Sequence, residues 1–466
     1  MSSFFKKTKN TLVGDKAFYS KVFAIVFPMI IQNTVTNVVS LLDNVMVGRI
    51  GTLQMTSVAV VNQLIFVFNL CIFGGLAGAG IFSAQFAGAK DDNGLRHCFR
   101  MKWYIGLLMF ALSLCIFLIF PDTLIKAYLA EGTSAADAAA TLNYAKDYLL
   151  AMLFGLLPFA VSQIYASTLR ELGETKLPMI SSVVAILINL IFNYLLIFGK
   201  LGFPKLGVVG AAIATVLSRY VETAIIVIFT HTRSKRFTFI NGAYKSLKIP
   251  LSLCKKIIKS GSPLLINEFL WSMGMAVLLQ CYSVRSLTVV AASNISNTAS
   301  NLFNVAFISM GGAISIMLGQ ALGAGDTKKA KNIVWKLMAL AVVLSAFLGV
   351  ILALVSEAIP LMYNTEKEVR RLASDFIYVV AALMPAFAFS HSCYFCLRSG
   401  GRTIITFLFD SAVVWGINIP MAYFLSSHTS LNIVLVFLIV QSLDLLKCTL
   451  GYILVKKGVW IRKIVD

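Results

Sequence analysis

Charge is what this sequence has least of. Lys, Arg, Asp and Glu make up 13% of its 466 residues, against 58% hydrophobic residues, whereas soluble domains are roughly a quarter charged. Mean hydropathy is +0.84. Such a chain requires lipid as its solvent. Acids are the scarcest group, with 20 Asp and Glu beside 40 Lys and Arg. The four His and eight Cys are scattered, and no set of them has the ligand spacing of a zinc site. Cys393 and Cys396 form a lone Cys-x-x-Cys pair, but without a surrounding βαβ pattern they read as small helix-packing residues rather than as a redox couple. The glycine cluster Gly74, Gly75, Gly78 and Gly80 lacks the Lys-Ser/Thr ending of a phosphate loop and lies in an apolar run, so it reads as close helix packing. No Walker motif, metal cluster or nucleophile triad is present, which argues against an enzyme, and no cofactor is expected. Alternating ten-residue strands are missing too, which argues against a closed barrel.

What is abundant is apolar run. A helix needs about 20 residues to cross a hydrocarbon core of about 30 Å. Twelve such spans are expected, at 22–47, 54–86, 97–120, 143–167, 177–199, 207–231, 263–283, 289–321, 335–356, 376–397, 404–425 and 431–454. The fold class is therefore an all-α integral membrane protein with twelve transmembrane helices in two pseudo-symmetric six-helix bundles. Residues 1–21 are polar and basic, and the apolar run after them is too long for the core of a signal peptide, so the first span is expected to be retained. With both termini in the cytoplasm, about 29 of the Lys and Arg fall on inner segments and about 9 on outer loops, as the positive-inside rule requires. The net charge of +20 thus sets topology and meets anionic lipid, and does not point to nucleic acid. A multi-pass protein of the cell membrane is expected.

The chain repeats itself. An offset of 235 residues brings Pro28 onto Pro263, Asn62 onto Asn297, Asn69 onto Asn304, Gln85 onto Gln320 and Gly88 onto Gly323. A second register, shifted by 228, sets Leu169 and Arg170 on Leu397 and Arg398, Gly173 on Gly401 and Thr175 on Thr403. Each repeat holds six spans, an even number, so the two are related by an axis roughly along the membrane normal, and transporters place substrate between such halves. The expected organisation is a first bundle over 1–231, a basic cytoplasmic linker over 232–262 and a second bundle with a short tail over 263–466. Pro28, Pro158, Pro263 and Pro385 sit inside spans, where a proline removes a backbone hydrogen bond and bends the helix.

The segments LLDNVMVGRIG (41–51), SAQFAGAKDDN (83–93), LRELGETKLPM (169–179), INLIFNYLLIFG (188–199) and GVVGAAIAT (207–215) resemble the multidrug and toxic compound extrusion (MATE) family. The second half echoes them in GQALGAGDTKKAKN (319–332) and LRSGGRT (397–403). The resemblance covers essentially the whole chain. It implies two six-helix bundles meeting in a V around a central cavity, with export of mostly cationic or amphiphilic compounds driven by inward Na⁺ or H⁺.

Acids inside a span cost about 2.5–3.5 kcal/mol on insertion scales, so each is a functional candidate. Asp43, late in the first span, has no Lys or Arg in the turn before it. A carboxylate there can bind Na⁺ or take up a proton; its alternative is an ion pair with Arg49. Asn189 and Asn193 lie one turn apart in span five and share a face. The resemblance implies a cation-coupling set in which an Asp43-like acid works with Asn189, with an acid one turn later and with Thr215 of span six. Asn193 stands where that second acid is expected, which weakens a Na⁺ site at Asp43, Asn189, Asn193 and Thr215 and favours H⁺. In the second half, family resemblance carries the coupling role to Glu268, about one turn from the family's position, which Trp271 occupies here. It carries a further role to His391, six residues after Pro385, because histidine titrates near neutral pH; the alternative is simple packing.

Span eight carries Asn294, Asn297, Asn301 and Asn304 at helical spacing, placing four amides on one stripe. The stripe is expected to face a substrate cavity or another bundle. Asn62 gives span two a thinner version, and Gln63, Asn33, Asn37, Asn267, Trp271 and Gln280 complete the expected cavity, with Met273 and Met275 as soft contacts. Asp444 with Lys447, and Glu222 with Arg219, are spaced for internal ion pairs. The leading functional expectation is a cation-coupled exporter of small molecules, working as a monomer. The alternative is a flippase for a lipid-linked precursor, which should line its cavity with Arg or Lys, whereas Arg219, Arg285 and Lys447 are the only basic groups expected in or beside spans. A channel is the third reading.

Overall fold

Residues 12–128, 135–363 and 365–465 are described in the computed structural model. Among them are twelve helices long and apolar enough to cross a membrane. These are α1 Lys16–Gly48, α2 Thr52–Ala89, α3 Asp92–Ile119 and α4 Ala135–Glu171. Then come α5 Lys176–Phe198, α6 Gly207–Thr232, α7 Leu251–Ser283 and α8 Leu287–Gly323. The last four are α9 Thr327–Leu354, α10 Lys367–Ser399, α11 Thr403–His428 and α12 Ile433–Lys456.

Every expected span is found, and most helices overrun it. Hydropathy registers only the lipid-embedded part, whereas a helix satisfies its own backbone and can continue into water. The largest difference is α7, which begins at Leu251 and so takes up residues 251–262 of the expected linker. Pro28, Pro158, Pro263 and Pro385 all lie inside their helices, in α1, α4, α7 and α10. The last two helices are interrupted. α11 is π-helical over Leu408–Ala412 and Val414–Asn418 before Ile419–His428 resumes as α-helix with Pro420 in its first turn. α12 breaks at Leu443, between Ile433–Ser442 and Asp444–Lys456.

The chain packs as two compact units: one takes Ile31–Ser83 and Asp92–Ile258, the other takes the residues up to Ile30, Ala84–Asp91 and the chain from Lys259 onward. The first-half unit therefore omits the start of α1 and the inner end of α2. The reason is visible in the core of the second-half unit, where Val22, Ile25 and Val26 of α1 are buried with Met310, Ile314, Leu337 and Leu397. Met29 fills the space over Gly312, where a Cβ would come to 2.5 Å of its Cε. Cys393 and Cys396 are free thiols buried in the same core.

In the second-half unit the inner ends of α2 and α8 cross at two glycines. A Cβ on Gly88 would overlap the carbonyl oxygen of Gln320, and a Cβ on Gly323 would overlap that of Gln85. Gln85 and Gln320, like Gly88 and Gly323, are repeat equivalents, so each copy of one Gln-x-x-Gly motif packs on the other. Gln85 then anchors the C-terminal tail: its Nε2 donates to the carbonyls of Ser399 and Arg462, both at 3.1 Å, and its Oε1 accepts from Ile464 N at 2.8 Å.

In the first-half unit the glycine cluster packs as expected. A Cβ on Gly75 would reach 2.9 Å from Ile105, and one on Gly80 would reach 2.5 Å from Glu171 Oε1. The space above Gly80 admits a buried ion pair. Lys102, 0% exposed, donates to Glu171 Oε2 at 2.6 Å, Thr168 Oγ1 at 3.0 Å and Ser167 Oγ at 3.1 Å. All three ammonium protons are thus used. Lys102→Met is expected to destabilise the protein by removing the buried ammonium that pairs with the half-buried Glu171. Adding Glu171→Gln should recover part of that loss in a thermal-unfolding comparison; equal stability of the single variant and wild type would show that the pair carries no weight.

The segment after α6 is fastened down rather than loose. Arg100 of α3 donates to three of its carbonyls, from Nε to Ala243 at 2.8 Å, from Nη2 to Gly242 at 2.9 Å and from Nη1 to Lys248 at 3.1 Å. Tyr104 donates to the carbonyl of Leu247 at 2.9 Å and Arg96 to that of Phe239 at 3.3 Å. Tyr165 of α4 completes the seat, hydrogen-bonding Tyr244 and, at 3.0 Å, His231 Nε2.

Candidate functional site

Two polar clusters lie within helices of the two units. In the first-half unit α1, α5 and α6 bring Asp43, Asn189, Asn193 and Thr215 together. Asn193 Nδ2 donates to Asp43 Oδ1 at 2.6 Å and lies 3.1 Å from Asn189 Oδ1. Asn189 is 6% and Asn193 1% exposed. The Asn189 amide has two readings, because its orientation follows from the network around it. With its oxygen toward Asp43, that oxygen stands 3.2 and 3.1 Å from the two carboxylate oxygens. Acceptors then face acceptors, which rules that orientation out. Turned over, the amide donates to both carboxylate oxygens and its oxygen accepts from Thr215 Oγ1 at 3.1 Å. Asn193 Oδ1 is buried with no hydrogen-bond partner among the described residues. The set therefore offers one carboxylate, two amide oxygens and a hydroxyl, all hard ligands for a hard cation.

The hydrogen bond of Asp43 goes to Asn193 and not to Arg49. A residue missing from the sequence reading joins the group: Tyr148 of α4 is 4% exposed, lies within electrostatic reach of Asp43, and donates to Asn62 Oδ1 at 3.3 Å. An aromatic in an apolar run carries no signal that separates it from packing. Nearby, Glu222 accepts from Ser182 and, at 3.3 Å, pairs with Arg219 as expected, while Gln32 Nε2 donates to Ser182 Oγ at 2.7 Å.

In the second-half unit Glu268 of α7 is half-buried, with Arg398, Asp410 and Tyr394 acting on it electrostatically. Asn267 beside it is 2% exposed and fully engaged. Its Nδ2 donates to Asp410 Oδ2 at 3.1 Å and Tyr394 Oη at 3.3 Å, and its Oδ1 accepts from Ser411 Oγ at 2.7 Å. Expected in the cavity lining, Asn267 is instead a hub inside its bundle, because the π-helical turn of α11 swings Asp410 and Ser411 onto it. His391 packs among Phe307, Tyr394 and Phe395 with ring centroids 5.4, 6.2 and 4.9 Å away, and its Nε2 has no hydrogen-bond partner among the described residues. Glu268 and His391 make no direct hydrogen bond among the described residues.

Of the amide stripe, Asn294, Asn297 and Asn301 are exposed and Asn304 is half-buried, while Ser293, Ser296 and Ser300 turn inward. Asn62, Gln63, Trp271, Met273, Met275 and Gln280 are exposed as well, and Asn33 and Asn37 are half-buried. Basic groups inside helices are more numerous than Arg219, Arg285 and Lys447. Arg100, Lys102 and Arg398 are also buried, the first two held by the carbonyls and the carboxylate already described. No group of three or more His, Cys, Asp or Glu capable of holding a metal occurs among the described residues.

Twelve spans, a twofold repeat and polar groups held inside each unit are the features expected of a secondary transporter. The sequence model of the MatE family matches the chain twice, over 28–195 and again over 263–424, and the two matches begin on the paired prolines Pro28 and Pro263. The chain belongs to the MATE family. It is 26% identical over 412 residues to the probable multidrug resistance protein YoeA of Bacillus subtilis, covering 87% of this chain and 86% of that one. It is 23% identical over 449 residues to the probable multidrug resistance protein NorM of Thermotoga maritima, covering 94% and 92%. Among solved structures it is similar to the Vibrio cholerae MATE transporter VcmN, with a TM-score of 0.84 at 17% identity over 94% of this chain and 96% of that one. The two-bundle, twelve-helix fold of a multi-pass membrane protein is thereby established. A transporter of this kind is not an enzyme.

Proposed function

We propose that this transporter exports small, mostly cationic or amphiphilic molecules from the cytoplasm in exchange for H⁺ or Na⁺, with Asp43 as the coupling carboxylate. The observation that carries the reading is a single acid on α1 surrounded by neutral polar groups of α5 and α6, Asn193, Asn189 and Thr215, with Asn193 Oδ1 buried and without a hydrogen-bond partner among the described residues. A proton on Asp43, or Na⁺ among Asp43, Asn189, Asn193 and Thr215, is the ion this group is proposed to hold. With only one carboxylate in the set, Asn193 being neutral, H⁺ fits more simply than Na⁺. Binding from outside changes which hydrogen bonds α1 makes with α5 and α6, and Pro28 gives α1 a place to bend. A coupled ion shifts the two-state equilibrium only by its differential affinity for the states.

Glu268 is proposed as a second titratable group, with Arg398 as its counter-charge, and His391 as a packing residue of the same bundle. The exposed amides Asn294, Asn297 and Asn301, with Asn62 and Trp271, supply substrate contacts that do not demand one particular charge. Both termini are placed in the cytoplasm, the two repeats act as the working halves, and the transporter functions as a monomer. The test uses purified protein in liposomes, with uptake of a fluorescent organic cation measured under separately imposed pH and Na⁺ gradients. Uptake driven by one gradient is expected; indifference to both would sink the antiport reading.

A further inference from the structure

Lys447 of α12 sits between two carboxylates. Its Nζ is 3.2 Å from Asp410 Oδ1 on α11 and 3.3 Å from Asp444 Oδ1 on its own helix, and its side chain is 8% exposed. The other oxygen of Asp410 is fixed by the Asn267 amide at 3.1 Å, and Asn267 is fixed in turn by Ser411 and Tyr394. The backbone around the cluster is interrupted on both sides. Asp410 and Ser411 lie in the first π-helical stretch of α11, and α12 breaks at Leu443, immediately before Asp444.

An i,i+3 pair between Asp444 and Lys447 on one helix needs no explanation beyond local pairing. A second acid from another helix, held in register by a buried amide, is more than that pairing requires. Three charged groups at membrane depth are costly, and apolar side chains of similar volume pack without the cost. Broken helices at that depth are where transporters hold coupling ions. Two carboxylates facing one point form an anionic site for a small cation, and here a primary ammonium on a four-carbon tether occupies that point.

We propose that Lys447 is a resident cation: its ammonium permanently fills a two-carboxylate cation site in the second-half unit, formed by Asp410 and Asp444 and braced by Asn267. The exchangeable ion is then left to the groups proposed above, Asp43 and Glu268. Only this last consequence rests on the exporter reading; the site itself does not. Removing the tether creates a vacancy for a small monovalent cation or a short alkylammonium.

The test is thermal unfolding of the purified full-length protein in detergent, with NaCl, LiCl or ethylammonium chloride exchanged for choline chloride at constant ionic strength. Every variant carries Asp43→Asn, so that failure of the first-half site to bind ions has no bearing on the outcome. With Lys447→Ala, at least one small cation is expected to raise the midpoint saturably by about 3 °C or more, the size expected for a ligand well above its dissociation constant. The parent with Lys447 intact should not respond, nor should Lys447→Ala combined with Asp410→Asn. Lys447→Arg, which keeps the charge, should not respond either. If Lys447→Ala is recovered folded only when a small cation is supplied during purification, the proposal is supported equally. A Lys447→Ala protein that is stable and indifferent to every cation, or lost in all of them, overturns it. So does a response that survives Asp410→Asn.

Discussion

Asp43→Asn is expected to reduce ion-driven export of an organic cation at least about tenfold, which corresponds to removing about 1.4 kcal/mol or more of the ion's differential affinity for the two states of the transporter. The substitution is nearly isosteric, and an Asn side chain can still bond the Asn193 amide, so the α1–α5–α6 contact should survive. Loss should therefore fall on coupling rather than on folding. Two measurements separate these: uptake in liposomes under an imposed gradient, and binding of the same fluorescent substrate at equilibrium. Transport should collapse while binding stays within about threefold of wild type. Transport at the wild-type rate would remove Asp43 from the mechanism. Glu268→Gln in parallel should have a smaller effect, because Arg398 and Asp410 already act on that carboxylate and the hydrogen bonds of Asn267 do not run through it.

Gly323→Val and Gly88→Val are expected to have the largest effect on folding, with loss of most of the monodisperse protein. At both positions even a Cβ meets backbone, the carbonyls of Gln85 and Gln320, and backbone in two packed helices cannot rotate aside as a side-chain end can. Overpacking costs typically 1–3 kcal/mol where neighbours can adjust, and these neighbours cannot. Because the two contacts are repeat equivalents, Gly88→Ala and Gly323→Ala should destabilise by similar amounts. Gly416→Ala is the control, since a Cβ there has nothing within 4 Å. Fluorescence-detected size exclusion after a temperature series reads all three. A harmless Gly323→Ala would show that the crossing is looser than its geometry.

Much of this molecule could be read from its residues alone. The spans were legible because burial in lipid selects for apolar length, and the repeat because polar pairs such as Gln85 with Gln320 do not recur by chance in apolar sequence. Asp43, Asn189, Asn193 and Thr215 were legible through resemblance, and the structure brings the four together. The grip of Arg100 on Gly242, Ala243 and Lys248 was not, since it depends on how the chain after α6 curves and leaves no pattern in residue types. Lys102 was hidden because a buried lysine in an otherwise apolar run differs from an interfacial one only by the acid that reaches it from another helix. Asn267 was misread for a related reason. An amide in a span faces either a cavity or a partner, and the partner, Asp410, is brought into reach by π-helical turns that composition does not announce.

The crossing of α2 and α8 has a symmetry of its own. A motif that packs on its own copy, glycine over glutamine carbonyl in both directions, makes a self-complementary contact, the geometry of a twofold homodimer. One contact geometry, used twice, thus fixes Gln85, Gly88, Gln320 and Gly323 together.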